Sequence, residues 1–495
     1  MNQKKMANTT AELVFIPAAG LGHIMSTIEI AKVLVNRDQR LSITVLVIKP
    51  LSGFGSGSEI TNYVESLTSK AMERIRFMEL PQDETPPKPD PKAPLTFLND
   101  YMNSHCKYVR NIVGEMMKQP GSGRIAGFVI DLFCTGMIDV ASEFGIPTYI
   151  FFTSNAAFLG FNLYMKTLYD TRNQDHVAEF SNSDAEFLIT SFVNPVPTKV
   201  IPELFRTKEG LDFLRSSHQK MKEAKGIMVN TFLELETHAI ESFSSLDNNF
   251  PTVYPVGPVL NLDGVGTVKP KDRDIMSWLD GQQPSTVVLL CFGSAGSFDE
   301  IQVKVIAHAL ERSGHYFVWS LRRRHRQEQM MNVGDYEDPR VVLPEGFLER
   351  TVGVGKVIGW APQAALLAHR AIGGFVSHCG WNSVLESLWF GVPLATWPMY
   401  AEQQLNAFGL VVESGLAVEI KLDYTFNVFN PDDGGDTVIV TAAEIERGIR
   451  QLMDNTQVRG KVKEMSRKSR AAVEKGGSSF ISIGHLINEF LSNIS

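Results

Sequence analysis

Two sets of residues in this 495-residue chain have the types and spacing to do chemistry. The first is a pair. His23 follows Gly20-Leu21-Gly22 at the end of an apolar run, and Asp131 closes the run 127–130. In a parallel sheet both would emerge at the same edge, where open α/β sheets bind ligands. A neutral imidazole with an ordinary pKa near ~6.5 can accept a proton from a phenolic or alcoholic hydroxyl, provided a partner orients the ring. The second set runs from Trp360 to Gln403: Trp-Ala-Pro-Gln at 360–363, Gly-Gly-Phe-Val-Ser-His-Cys-Gly-Trp-Asn-Ser at 373–383, Glu386, Gly-Val-Pro at 391–393 and Glu402-Gln403. Phe375 and Val376 suit a buried strand, Gly380 allows close backbone approach, and Asn382 and Ser383 are residue types that satisfy the free N–H groups opening a helix. A helix start attracts anions through its free N–H groups and positive dipole end. His378, Asn382 and Ser383 add donors for a diphosphate, and Glu386, one turn deeper, can accept from sugar hydroxyls. Trp360 offers a flat face to a base, while Glu402 and Gln403 offer a carboxylate and an amide to a hydroxyl-rich group. Singly, each of these is an ordinary buried Trp, satisfied His or helix cap; the ensemble is not.

That contiguous segment resembles the signature box of plant family-1 UDP-sugar glycosyltransferases. The resemblance implies that Trp360 stacks on uracil and Gln363 binds the nucleoside, that His378, Asn382 and Ser383 hold the phosphates, and that Glu386 takes the ribose hydroxyls. Trp381, Glu402 and Gln403 would surround the transferred sugar, with Gln at 403 accompanying glucose. His23 and Asp131 match the family's catalytic pair. Thr153 matches a position that can reach the sugar, and Ser294 one that approaches the phosphates. Ile24-Met25-Ser26 departs from the family, many of whose members have Pro in this turn, which bears on the loop's shape.

The implied activity is inverting, metal-independent transfer of glucose from UDP-glucose, a substrate and not a cofactor, to a hydroxyl of a small plant secondary metabolite, phenolic or flavonoid, or else terpenoid. The implied enzyme is a cytoplasmic monomer with no resident cofactor. Phe133, Phe152, Phe158 and Phe161 are candidates for the acceptor pocket, although such spacing also suits plain core. The alternatives are an inactive UDP-sugar-binding protein and an NADP-dependent oxidoreductase. The second is disfavoured: Gly20-x-Gly22-x-x-Met25 lacks the last glycine of the dinucleotide fingerprint, and no acidic residue follows at the required distance.

Positioning these residues requires alternating strands and helices. Apolar runs at 12–18, 41–48, 127–130 and 147–152 predict strands, with a helix at 25–36, and the cycle repeats at 287–292, 299–312, 316–321, 356–359 and 374–377. The pattern predicts an α/β chain with parallel βαβ units. The resemblance makes it two facing Rossmann-like domains, the GT-B architecture, with a cleft between them. The expected division is residues 1–252 for the acceptor, 253–475 for the UDP-sugar, and 476–495 as a helix returning to the first domain. Pro-rich residues 81–94 predict a surface loop, and residues 432–436 an exposed insertion.

Composition narrows the function classes. A chain of this length exceeds what one core sustains. A net charge of −8 argues against a nucleic-acid surface. The basic run Arg322-Arg323-Arg324-His325-Arg326, followed by polar residues, predicts a solvated connection. Cys106, Cys134, Cys291 and Cys379 form no zinc or disulfide framework, which fits a reducing compartment. No apolar stretch reaches the roughly 18 residues that span a bilayer, and no signal-peptide pattern is legible. Asp272-Arg-Asp274 has metal-chelating spacing but reads as helix capping.

Overall fold

The computed structural model describes residues 10–50, 57–68, 72–83, 85–88, 90, 93–118, 124–172, 185–245, 250–266, 269–324, 333–425 and 438–494. The insertion expected at 432–436, residues His325 and Arg326 of the basic run, and parts of the Pro-rich 81–94 segment lie outside them. Pro94 opens the helix Pro94–Ser104.

Near-continuous apolar runs build two parallel sheets, as expected where helices cover both faces. The first holds β1 (Ala11–Ile16), β2 (Leu41–Val47), β3 (Ile75–Glu79), β4 (Arg124–Asp131), β5 (Thr148–Phe152), β6 (Gly226–Val229) and β7 (Thr252–Pro255), in the order β3-β2-β1-β4-β5-β6-β7. The second holds β8 (Val287–Cys291), β9 (Tyr316–Ser320), β10 (Gly355–Ile358), β11 (Ile372–Ser377), β12 (Leu394–Thr396) and β13 (Ala417–Glu419), in the order β10-β9-β8-β11-β12-β13. Each sheet therefore reverses direction between its first and fourth strands, β1 beside β4 and β8 beside β11. Ligands of doubly wound sheets bind at such a reversal, outside the carboxyl ends of the strands.

The last strand of the first sheet, β7, pairs with β6 and ends at Pro255. One apolar cluster runs through both halves, from Val14 and Phe128 to Phe375 and Leu388. The helix Ser478–Ser492 packs on the first half, where Ile483, Leu486, Ile487 and Phe490 join a cluster with Leu13, Phe15 and Tyr149. Phe490 is fully buried and meets the Tyr149 ring edge-on at 4.7 Å, a contact contributing on the order of 2 kcal/mol through burial alone. Asn493 Nδ2 donates to Ala126 O at 2.8 Å, and Ser479 Oγ donates to Gly257 O.

Candidate active site

The helix after β1 spans Leu21–Arg37, four residues earlier than its apolar periodicity predicts, because Gly20 takes the N-cap position in an extended conformation. Gly22 and His23 thus sit in its first turn, and Ile24-Met25-Ser26 continues it. His23 Nδ1 lies 2.7 Å from Asp131 Oδ2, so the carboxylate accepts the Nδ1 proton and leaves Nε2 as the basic nitrogen. Asp131 is fixed in turn by the Phe133 N–H, which donates to Oδ1 at 3.0 Å. Thr153 Oγ1 stands 3.1 Å from the same Nδ1, so it touches the histidine. Burial by itself would lower the His23 pKa. The Asp131 charge and hydrogen bond, with Glu402 behind them, more than reverse this and hold it above 6.5. The imidazole remains about 30% accessible.

Opposite this pair, β11 ends at Ser377 and the helix Trp381–Phe390 begins. Its N-cap is Gly380, with no side-chain cap bond, so Asn382 and Ser383 lie inside the first turn and do not cap it. The opening N–H groups are left to attract an anion. Cys379 holds a positive φ of 63°, a costly conformation for a side-chain-bearing residue, secured by a bond from its N–H to Ser377 Oγ at 3.1 Å. His378 is wedged between glycines: a Cβ at Gly293 or Gly380 would collide with its Nε2. Burial pushes its pKa down to about 4, so the ring is neutral, and its Nδ1 is buried without a partner among the described residues.

Gln363 opens the short helix Gln363–Leu367, and its Nε2 donates to both Ser383 Oγ (2.9 Å) and Glu386 Oε2 (2.8 Å). Burial raises the Glu386 carboxyl to about 7, the Gln363 bond opposing that rise. Trp360 is half-buried just beyond β10. Trp381 is buried, and its indole N–H donates to Asn230 O in the first half at 2.6 Å. Glu402 accepts from Ser154 Oγ at 3.1 Å. Gln403 is buried with its Oε1 accepting from the Met399 and Tyr400 N–H groups, so only its amide hydrogens remain to offer. Ser294 is exposed in the turn after β8.

The aromatic candidates divide. Phe133 stands at the site, its ring 5.6 Å from that of His23. Phe152, Phe158 and Phe161 are buried and pack around one another and Phe205 in the hydrophobic core. The metal-like pair is resolved differently from expectation: Asp272 makes no capping bond with its side chain, and Asp274 pairs with Lys356 at 3.0 Å. Among the described residues no group of three His, Cys, Asp or Glu is placed to hold a metal ion.

Sequence reasoning missed the bonds that hold the halves together here. Asn382 Nδ2 donates to Gly22 O at 3.3 Å, and Ser26 Oγ donates to Asn382 Oδ1 at 3.1 Å. Asn155 Nδ2 donates to Asn406 Oδ1 at 2.6 Å, and Asn406 Nδ2 donates to Cys379 O at 2.9 Å, steadying the strained turn. Asparagines in loops and short helices carry no signal that marks such a pairing.

Two facing doubly wound sheets, with a His–Asp pair on one rim and an open helix start on the other, make this a GT-B fold. Residues 211–425 match the family model "UDP-glucoronosyl and UDP-glucosyl transferase". The chain is 50% identical over 491 residues to UDP-glucose flavonoid 3-O-glucosyltransferase 6 of Fragaria ananassa, covering 97% of this chain and 98% of that protein. A UGT transferase from Siraitia grosvenorii, solved in complex with UDP, superposes with a TM-score of 0.83 at 43% identity, over 97% of this chain and all of that one. UGT71G1 of Medicago truncatula, solved with UDP-glucose, gives 0.82 at 39% identity, over 98% and 99%. The chain belongs to the plant UDP-glycosyltransferase family and is an enzyme of that class.

Proposed function

We propose that this enzyme transfers glucose from UDP-glucose, with inversion and without a metal, to a hydroxyl of a small plant metabolite of the flavonoid or phenolic kind. The carrying observation is the His23–Asp131 contact at 2.7 Å, facing a helix start with uncapped N–H groups. His23 Nε2 takes the acceptor proton as the acceptor oxygen bonds to the anomeric carbon. The bond from that carbon to the β-phosphate oxygen breaks on the opposite face, and UDP leaves with the electron pair. Asp131 steadies the imidazolium, while the opening turn of Trp381–Phe390, with His378, Asn382 and Ser383, receives the charge of the leaving diphosphate.

Trp360 carries the uracil, Gln363 the nucleoside and Glu386 the ribose. Glu402 and Gln403 bind the glucose, with Thr153 between His23 and the sugar, and Ser294 and Trp381 border the phosphates and the sugar. Phe133 is the acceptor-facing aromatic. The first half, to Pro255, takes the acceptor and the second the donor. One chain supplies every residue named, so a monomer suffices. Four free cysteines suit a reducing cytoplasm, and no described helix is long and apolar enough to cross a membrane.

The test is incubation of the pure protein and UDP-glucose with a panel of flavonoids, simple phenols and terpenoid alcohols, read by mass gain of one hexose and by the anomeric configuration of the product. A β-glucoside is expected. No transfer to any of them, with UDP still raising the melting temperature, would make this a binding protein instead.

A further inference from the structure

We propose that Arg322 is a positioning residue for the donor base: it backs the indole of Trp360 from the protein side and fixes the open face on which a pyrimidine stacks. The inference rests on the reading of Trp360 as the uracil platform.

The basic run that includes Arg322 predicts a solvated connection, but Arg322 departs from it. It starts a short strand, Arg322–Arg324, that pairs antiparallel with Val333–Asp335 just beyond β9. Its side chain is only 5% accessible, whereas the partnered Asp335 is about half exposed. Two of its three nitrogens are engaged by the hairpin. Nη2 donates to Val333 O at 2.9 Å, Nε donates to Gly334 O at 3.2 Å, and Nε lies 3.1 Å from Asp335 Oδ1. Its Cζ lies over the Trp360 ring, 4.9 Å from the centroid.

A buried arginine has to find such partners, because an unpaired guanidinium out of water is costly. Here they come from one hairpin and one ring. The buried cation covers one face of a half-buried indole and leaves the other for a base.

The residue before Trp360 closes the arrangement. A Cβ on Gly359 would overlap the Asp335 carboxylate, so a larger residue here would displace that side chain. The Gly359 carbonyl accepts from Ser320 Oγ at 2.7 Å, and the Leu321 N–H donates to Ile358 O at 2.9 Å. The backbone just before Trp360 is therefore held at the end of β9, and its ring lies under Arg322. A ring fixed before the ligand arrives forgoes the ordering cost of binding, which is how a group that never touches the ligand alters its affinity. Lysine keeps the charge at this place but has neither the plane that stacks nor the fork that spans the hairpin carbonyls.

The experiment compares Arg322→Lys, Asp335→Asn and Trp360→Ala with the wild-type enzyme, measuring calorimetric affinities for UDP and for inorganic pyrophosphate, which has no base. Arg322→Lys is expected to weaken UDP about five- to twentyfold and leave pyrophosphate unchanged. KM for UDP-glucose should rise in step, with kcat at saturating donor within about twofold. Asp335→Asn moves the same quantities in the same direction by less, and stands in if Arg322→Lys does not fold. UDP affinity unchanged or tightened in Arg322→Lys, while Trp360→Ala weakens it, overturns the role of Arg322 and leaves the platform standing. Equal losses for UDP and pyrophosphate also overturn it, since a base platform cannot act on a ligand without a base. Unchanged UDP affinity in Trp360→Ala removes the platform and the inference with it.

Discussion

Ser26 and Asn382, 356 residues apart, are joined across the cleft by a 3.1 Å hydrogen bond from the serine hydroxyl to the asparagine Oδ1. The same amide donates to Gly22 O, beside the proposed base, so the first turn of the donor helix and the first turn of the His23 helix share one side chain. A diphosphate that recruits Asn382 must compete with these bonds. A neutral hydrogen bond contributes about 0.5 to 1.5 kcal/mol net. Ser26→Ala is therefore expected to tighten UDP binding about two- to fivefold by titration calorimetry. Weaker binding would mean that Asn382 serves the ligand in the orientation Ser26 gives it.

His23→Ala should lower kcat by about 10²- to 10⁴-fold and leave UDP affinity near that of the wild type. Near-normal turnover with a phenol acceptor would remove His23 from the role of base.

The pH profile carries a signed expectation. A base works in its neutral form, and the His23 pKa is raised above 6.5, so kcat/KM should climb with pH along a limb centred above 6.5. Asp131→Asn removes the charge that holds the proton on, which moves the limb to lower pH while the plateau falls. A limb unmoved by this substitution would mean that another group titrates there.

Glu386 offers a stability test. Burial raises its pKa from 4.5 to about 7, so the folded state favours the neutral acid. That stability is fully present below 4.5, is lost between 4.5 and about 7, and changes no further above. The shift corresponds to on the order of 3 kcal/mol. In urea unfolding without ligand, Glu386→Gln should be the more stable protein at pH 8 by on the order of 2 kcal/mol, the difference vanishing toward pH 4.5. A constant difference would show that Glu386 does not titrate in this range.

Donor choice is expected to turn on Gln403. Its carbonyl oxygen is engaged by two backbone N–H groups, so it can only donate to a sugar, and Glu402 must supply the acceptor. We expect kcat/KM for UDP-glucose to exceed that for UDP-galactose in direct competition, since the wrong epimer at the 4-hydroxyl leaves buried groups unpaired. Equal rates would take this selectivity away from Gln403.

The site's outline was legible because its residues are local in sequence: a strand end, a glycine and a polar helix start announce themselves within a few positions. His23 and Asp131 were legible as a pair, because each closes an apolar run and a parallel sheet brings such ends to one edge. What escaped depends on pairing over long separations. The glycines at 20 and 22 read as a turn, yet they open a helix. The burial of Arg322 follows from a hairpin register that composition cannot specify. Whether Phe152, Phe158 and Phe161 face a pocket or the core depends on which side of β5 the following helix lies. The Asn155–Asn406 bond joins residues 251 positions apart, where no local pattern reaches.

The helix Ser478–Ser492 also sets a schedule for the newborn protein. The apolar surface it covers on the first half is complete once β7 has been made, but the cover is translated more than two hundred residues later. At about 5 to 20 residues per second the ribosome leaves that surface bare for roughly 10 to 50 s. Over that interval Leu13, Phe15 and Tyr149 lack the cover of Ile483, Leu486, Ile487 and Phe490, and a nascent chain stalled before Ser478 would present that face bare.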